Sequence, residues 1–129
     1  MRKAARFAIA GLMVAGLFGA AAPAAMAKDG DVVRQGTCTG NSTAKIKLSP
    51  EDGRIEVQFE VDENKVGDTW RVKLRHNGDQ FFSGTRTTQA PSGSFELRKV
   101  VNDAAGTDTI RARARNLSTD EVCTASASI

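Results

Sequence analysis

The sequence is poor in aromatic and imidazole side chains. It has no tyrosine, one tryptophan and one histidine in 129 residues. Carbohydrate-binding sandwiches stack sugars on exposed tryptophan and tyrosine, so this composition disfavours a sugar-binding platform. The single histidine, His76, directly precedes the turn residues Asn77-Gly78, and no Gly-x-Ser-x-Gly elbow accompanies it. A hairpin-shoulder histidine is expected rather than a member of a catalytic triad. The sequence therefore predicts a protein that is not an enzyme and uses no cofactor.

Cysteine is equally scarce, with only Cys38 and Cys123. In an oxidising compartment two cysteines are expected to pair with each other. The alternative, a metal site, would need more thiols or histidines than this sequence offers. Residues 62–68, with Asp120 and Glu121 expected at the same end of the domain, supply oxygen ligands but match no EF-hand spacing. The sequence therefore predicts one disulfide between Cys38 and Cys123, and no metal.

Long hydrophobic runs are absent except near the N-terminus. Residues 1–6 carry three basic and no acidic side chains, residues 7–22 are apolar, and Ala25-Met26-Ala27 forms a small-x-small site after Pro23. The alternative, a membrane anchor, would need 18 or more apolar residues, and this run has about 16. The pattern predicts a removable signal peptide over residues 1–27, hence a secreted protein with no membrane anchor after cleavage. Residues 28–36 are expected to be a flexible segment, and residues 37–129 a single domain.

The positive net charge belongs to that N-terminal segment. The chain has 18 lysines and arginines against 15 aspartates and glutamates. Residues 1–27 contain three of the basic residues and none of the acidic ones, so the remainder carries 15 of each and is neutral. Net charge therefore gives no reason to expect binding to nucleic acid or to an anionic surface.

A sustained helical stripe is also lacking after residue 36, and alternation with a period of two replaces it. Such alternation is typical of strands with one buried face. It predicts an all-β, seven-stranded, antiparallel immunoglobulin-like β-sandwich, with an irregular barrel as the alternative. The predicted strands are residues 43–48, 54–61, 69–76, 80–88, 94–101, 108–115 and 121–129. One sheet is expected to contain the first, second and fifth of these strands, and the other to pair the third with the sixth. Trp70, on the third strand, would face inward.

The outward positions of the predicted strands differ between the two sheets. On the first sheet, lysines would lie beside glutamates on neighbouring strands, so that opposite charges offset each other. On the second sheet, cations would meet on adjacent strands without an acid among them. This basic face, the candidate binding surface, consists of Arg71, Lys73, Arg75, Arg111, Arg113 and Arg115. An anionic cell-wall polymer or an acidic secreted protein would suit it. The alternative is a solvated face that only keeps the sheet soluble.

The pair Phe81-Phe82 interrupts the alternation of the fourth strand. One of two consecutive strand residues is expected to face outward. An exposed phenylalanine bordering the basic face would suit a protein partner, so both residues belong to the candidate site. The alternative is a β-bulge or a partly covered edge strand.

Several turns and strands of the sequence look like those of small secreted actinobacterial proteins. The similarity is carried by residues 52–57, 67–70, 75–78, 92–95 and 103–108. It implies an exported immunoglobulin-like sandwich and transfers no catalytic residue. This resemblance and the basic face together predict a secreted, non-enzymatic binding or cell-envelope-associated domain. A secreted inhibitor or small-ligand carrier is the alternative function.

Overall fold

The computed structural model describes residues 29–129, and the predicted signal peptide, residues 1–27, lies outside them. This part of the chain contains nine β-strands and no helix, so it has no helix long and apolar enough to cross a membrane. The strands are β1 (Val32–Gln35), β2 (Thr37–Cys38), β3 (Thr43–Glu51), β4 (Arg54–Asp62), β5 (Thr69–His76), β6 (Asp79–Thr87), β7 (Ser94–Asn102), β8 (Thr109–Asn116) and β9 (Val122–Ser128).

The strands form two separate antiparallel sheets. The four-stranded sheet has the order β1-β3-β4-β7, and the five-stranded sheet has the order β2-β9-β8-β5-β6. All seven predicted strands are present, and the predicted pairing of the third with the sixth is the β5–β8 ladder. The immunoglobulin-like sandwich is therefore confirmed, and the sheets do not close into a barrel.

The first two strands were not predicted from the sequence. Residues 32–35, within the segment expected to be flexible, pair with β3 as β1. Asp31, just before β1, reaches Lys47 of β3 at 3.8 Å. Gly36 then carries the chain across to β2 in the other sheet. These strands are too short to show alternation, and they exist because β3 and β9 offer unpaired edges.

The core lies between the sheets and is built from the inward positions of their strands. Trp70 is fully buried, and its ring lies 6.2 Å from that of Phe95, which in turn lies 6.3 Å from Phe59. Trp70 therefore faces inward as predicted. Around these rings pack the fully buried aliphatic side chains of Ile46, Leu48, Ile55, Val57, Val61, Val72, Leu74, Leu97 and Ile110.

The predicted disulfide is present between Cys38 and Cys123, with an S–S distance of 2.06 Å. The two residues are direct neighbours in the β2–β9 ladder. The bond therefore fastens β2, the two-residue edge strand of the five-stranded sheet, to its neighbour β9.

Candidate functional site

The basic face lies on the outer surface of the five-stranded sheet, where β5 and β8 pair. The ladder places Arg71 opposite Arg115, Lys73 opposite Arg113 and Arg75 opposite Arg111. Five of the six side chains are exposed and Arg115 is half-buried. Because each intervening residue, such as Val72, is buried, the alternation turns all six cations to the same side. The structure therefore brings together all six basic residues of the predicted site, as three directly opposed pairs.

These cations have little compensation from nearby acids. Arg115 forms an ion pair with Asp120 at 2.8 Å, at one end of the face. Arg75 donates a hydrogen bond to the Gly78 carbonyl oxygen at 3.2 Å. Within residues 29–129, no carboxylate lies within ion-pair distance of the five remaining basic-face side chains, which are those of Arg71, Lys73, Arg75, Arg111 and Arg113. The face is therefore a concentrated positive charge on a domain whose net charge is zero.

The outer face of the four-stranded sheet shows the opposite arrangement. Lys45 on β3 lies 3.6 Å from Glu60 on β4, and Arg98 on β7 lies 3.3 Å from Glu56 on β4. Cations and acids thus alternate across strands, as the sequence predicted for this sheet. The concentration of cations is therefore specific to β5 and β8 and is not shared by the outer face of the four-stranded sheet.

Hydroxyl side chains flank the basic face on both sides. On β6, Ser83 lies opposite Lys73 and Thr85 opposite Arg71. On β9, Ser126 lies opposite Arg111. None of these three hydroxyls makes a side-chain hydrogen bond within residues 29–129, so they are available to a ligand. We call the full set the hydroxyl columns; they comprise Ser83, Thr85 and Thr87 on β6 and Thr124, Ser126 and Ser128 on β9.

A groove of about 550 Å³ lies over part of the basic face. One wall is the segment from Gln35 to Thr37, which crosses between the sheets. A Cβ atom at Gly36 would lie 2.2 Å from the Thr124 carbonyl oxygen, so only glycine lets this wall pack so closely against β9. The remaining lining comes mainly from Lys73, Arg75, Arg111, Arg113, Thr124 and Ser126.

The structure corrects the expected position of the two phenylalanines. Phe81 has no partner in the β5–β6 ladder, because a bulge there places Phe82 opposite Leu74 and Gln80 opposite Arg75. The extra residue turns both rings to the inner side, where they are half-buried and pack against the core. Neither ring therefore borders the basic face. This is the bulged edge strand that the sequence left open as the alternative.

Two cations cover the ring of Phe82 at the β6–β7 edge. The guanidinium carbon of Arg86 lies 5.2 Å from the ring centroid, and Lys99 Nζ lies 4.8 Å from it. Both cations lie at inward register positions, opposite Trp70 and Val57 respectively. Such contacts favour a fixed ring, so Phe82 helps to close this edge of the sandwich.

His76 forms part of a polar cluster at the end of β5. Its Nε2 lies 2.5 Å from Asp108 Oδ1, and the same oxygen accepts a hydrogen bond from the Ala104 backbone N–H. Burial alone would raise the pKa of Asp108, but these hydrogen bonds outweigh it and hold that pKa below its usual value. Hydrogen bonding to Asp108 raises the pKa of Asp103. Through Asp108, the cluster links His76 at the end of β5 to the loop between β7 and β8. No hydroxyl or thiol in the described residues hydrogen-bonds His76.

A second polar cluster fixes the loop between β4 and β5. Trp70 Nε1 donates to Glu63 at 3.0 Å, and Asn116 Nδ2 donates to Glu63 and to Asp68. Burial and a hydrogen bond with Asp68 raise the pKa of Glu63. The hydrogen bond from Glu63, with that from Asn116, lowers the pKa of Asp68. Glu63 and Asp68 thus share Asn116 as a hydrogen-bond donor, and Glu63 also holds Trp70, so the cluster is a structural element that positions Trp70.

Glu121, one of the acidic residues expected at this end, is engaged by backbone and hydroxyl donors. Glu121 lies near the β4–β5 loop as expected, but its carboxylate accepts hydrogen bonds from the Gly40 and Ser42 backbone N–H groups and from Ser42 Oγ. One group of metal-ligand types in the described chain contains Glu121 with Cys38 and Cys123. Both of its sulfur atoms are in the disulfide and are not thiolates that could hold a metal.

The hydroxyl columns were missed by the sequence analysis, although a signal was present. Serine and threonine occupy positions 83, 85 and 87, and again positions 124, 126 and 128. This period of two matches the outward positions of the neighbouring strands. The sequence could have shown that these hydroxyls share a face, whereas their place beside the cations depends on strand order.

Comparisons with known proteins show no family for this chain. No protein-family model matches it, and no curated protein sequence does. Among solved structures, chicken MD-1, in a crystal structure with lipid IVa, aligns over 75% of this chain and 96% of its own. The sequence identity is 13% and the TM-score is 0.30. At that score the likeness supports no inference about function.

Proposed function

We propose that this protein is exported and binds an anionic ligand through the basic face, without catalysing a reaction. Export is supported by the predicted signal peptide together with a disulfide, a bond that persists in oxidising compartments. Binding is supported by one observation above all, the three directly opposed cation pairs of β5 and β8. Like charges opposite each other across strands destabilise a sheet, and a bound anion would relieve that repulsion.

The position of the cations favours binding over a purely solubilising role. Charges that prevent sheets from pairing edge to edge are needed on edge strands. Here the cations lie on β5 and β8, which have neighbours on both sides, while β6 and β2 form the edges. A solubilising face could also alternate its charges, as the four-stranded sheet does with Lys45 and Glu60. Neither requirement explains six cations on two central strands.

Salt-dependent retention on the cell envelope tests this proposal. Cells expressing the protein are fractionated, and the envelope fraction is washed with a gradient of sodium chloride. We expect the protein to remain with the envelope at low salt and to elute as screening increases. A variant with four basic-face residues replaced should appear in the medium at low salt; its substitutions are Arg71→Gln, Lys73→Gln, Arg111→Gln and Arg113→Gln.

A charge-matched control separates the face from net charge. The control variant loses four cations elsewhere, through Arg34→Gln, Lys45→Gln, Arg54→Gln and Arg98→Gln. It has the same net charge as the basic-face variant, so we expect it to be retained like the wild type. Wild-type protein found entirely in the medium at low salt, or equal release of both variants, would contradict the proposal.

A further inference from the structure

We infer that the ligand of the basic face is a polymer of hydroxylated units joined by phosphodiesters. This inference rests on the proposed function and adds the chemical class of the ligand. It combines three features of the outer surface of the five-stranded sheet, namely the type of cation, the neighbouring hydroxyls and the lack of aromatic rings.

The first feature is the type of cation. Five of the six basic-face residues are arginines, and Lys73 is the exception. A guanidinium offers a planar set of N–H donors that matches two oxygens of a phosphate or carboxylate, whereas an ammonium acts as a point charge. The face is therefore suited to oxyanions with paired oxygens, which restricts the ligand to phosphates, sulfates and carboxylates.

The second feature is the set of free hydroxyls beside the cations. Ser83, Thr85 and Ser126 each lie directly opposite a cation in the ladder and make no side-chain hydrogen bond within the described chain. A hydroxyl both donates and accepts hydrogen bonds. Its acceptor capacity is of no use to a bare polyanion, which only accepts, but it matches a ligand that carries hydroxyls of its own. Cations in the centre and hydroxyls on both sides therefore suit a hydroxylated polyanion, such as a polyol phosphate.

The third feature is the lack of aromatic rings on this surface. The outward positions of β5, β6, β8 and β9 carry basic, hydroxyl and amide side chains, with Val122 at one end. The rings of Phe81, Phe82 and Trp70 all lie on the inner side. Proteins that bind single-stranded nucleic acid combine a basic groove with aromatic rings on which bases stack. The surface therefore offers no aromatic ring on which a base or a sugar ring could stack, which disfavours nucleic acid and acidic glycans.

The spacing of the pairs sets the length of ligand that is bound. Successive outward residues on a strand are about 7 Å apart, so the three pairs extend over roughly 14 Å. A linear polymer lying along β5 and β8 would place about one anionic group at each pair. Three phosphates neutralised on a single-stranded polyanion correspond to a slope of about −2 when the logarithm of the binding constant is plotted against that of salt.

Binding of defined oligomers to the purified protein tests the inference. The probes are a synthetic glycerol-phosphate hexamer, an inorganic polyphosphate of six phosphates, hexaglutamate and a six-residue oligothymidylate. We expect the glycerol-phosphate hexamer to bind about tenfold or more tightly than hexaglutamate, because only the former carries hydroxyls that can pair with Ser83, Thr85 and Ser126. The oligothymidylate should bind no more tightly than the glycerol-phosphate hexamer.

Two variants test the hydroxyls directly. Ser83→Ala and Ser126→Ala should each weaken binding of the glycerol-phosphate hexamer by about three- to tenfold, the usual effect of losing one hydrogen bond. Both should weaken binding of polyphosphate by a smaller factor, since a serine hydroxyl can donate to a phosphate oxygen but finds no hydroxyl on that ligand from which to accept. Thr107→Ala, in the exposed loop before β8, is the control and should change neither.

The outcomes separate the inference from the proposed function. Equal binding of hexaglutamate and glycerol-phosphate hexamer, tighter binding of the oligothymidylate, or unchanged hexamer binding by both serine variants would each overturn the inference. In those cases an anionic ligand still binds the basic face, and the proposed function stands. Failure of all four probes to bind at low salt would overturn both.

Discussion

Replacing Lys73 by glutamine should make the protein more stable and a weaker binder at the same time. Lys73 occupies the middle of the basic face, directly opposite Arg113. Both side chains are exposed, and neither has an acidic partner within residues 29–129. Removing the charge relieves repulsion in the folded state and leaves the unfolded chain little changed. The same substitution removes one of the cations proposed to hold the ligand.

The size of the effect follows from the arrangement of the charges. Two unit charges about 7 Å apart repel by roughly 0.6 kcal/mol in water. Screening at physiological salt, with a length of about 8 Å, reduces this to roughly 0.3 kcal/mol. Lys73 has one direct neighbour and four more distant ones on the basic face. We therefore expect Lys73→Gln to raise the free energy of unfolding by about 0.5 to 1 kcal/mol at low salt.

Urea denaturation followed by the fluorescence of Trp70, the single tryptophan, measures this change. The gain should disappear near 1 M salt, where the screening length is about 3 Å. Lys45→Gln is the matched control, because Lys45 lies 3.6 Å from Glu60 on the other sheet. It should lower the free energy of unfolding by a few tenths of a kcal/mol. A Lys73→Gln variant that is less stable than the wild type at low salt, or a gain that persists at 1 M salt, would refute the reasoning.

Two further predictions concern the disulfide and the carboxyl pair. The bond between Cys38 and Cys123 spans 85 residues, and a loop of that size corresponds to about 4–5 kcal/mol in the chain-entropy model. Cys38→Ala combined with Cys123→Ala should lower the free energy of unfolding in urea by that amount, and a loss below about 1 kcal/mol would argue against a restraint on the unfolded chain. Because the folded-state pKa of Glu63 is raised, its contribution to stability is complete below its unfolded pKa and is lost as pH rises through the raised value. Glu63→Gln removes this titration and keeps an acceptor for Trp70, so its urea midpoint should fall less than that of the wild type as pH rises above the usual glutamate range. Parallel pH profiles for the two proteins would contradict the raised pKa of Glu63.

Several acidic side chains of this domain hold loops in place, and their carboxylates do not lie on the basic face. Glu63 and Asp68 are held by Trp70 and Asn116, and Glu121 is held by the turn before β3. Asp108 is engaged by His76. Among the acids of residues 29–129, only Asp120 reaches a basic-face cation, Arg115, and it does so at the margin. The acids that balance the total charge are thus committed elsewhere, which leaves the field of β5 and β8 unopposed.

The bulge on β6 illustrates why part of the candidate site escaped sequence analysis. Alternation alone requires one of Phe81 and Phe82 to face outward, and this placed both in the predicted site. In the structure, β6 has an extra residue, Phe81, opposite the step from Leu74 to Arg75 of β5, so both rings turn inward. A bulge is a property of the ladder between two strands. It depends on how many residues the neighbouring strand presents and not on the residues of β6 alone.

By itself, the sequence determined seven of the nine strands, the buried face of each except at the β6 bulge, and that two cysteines would pair. Each of these depends on local properties, because a period of two selects the face of every side chain and two cysteines leave one pairing. Only the tertiary structure decided which strands are neighbours and in what register. That choice set Lys73 against Arg113, placed the hydroxyl columns beside them and added β1 and β2. Register comes from pairing between segments far apart in the chain, and a shift of one residue would have moved every cation to the other face.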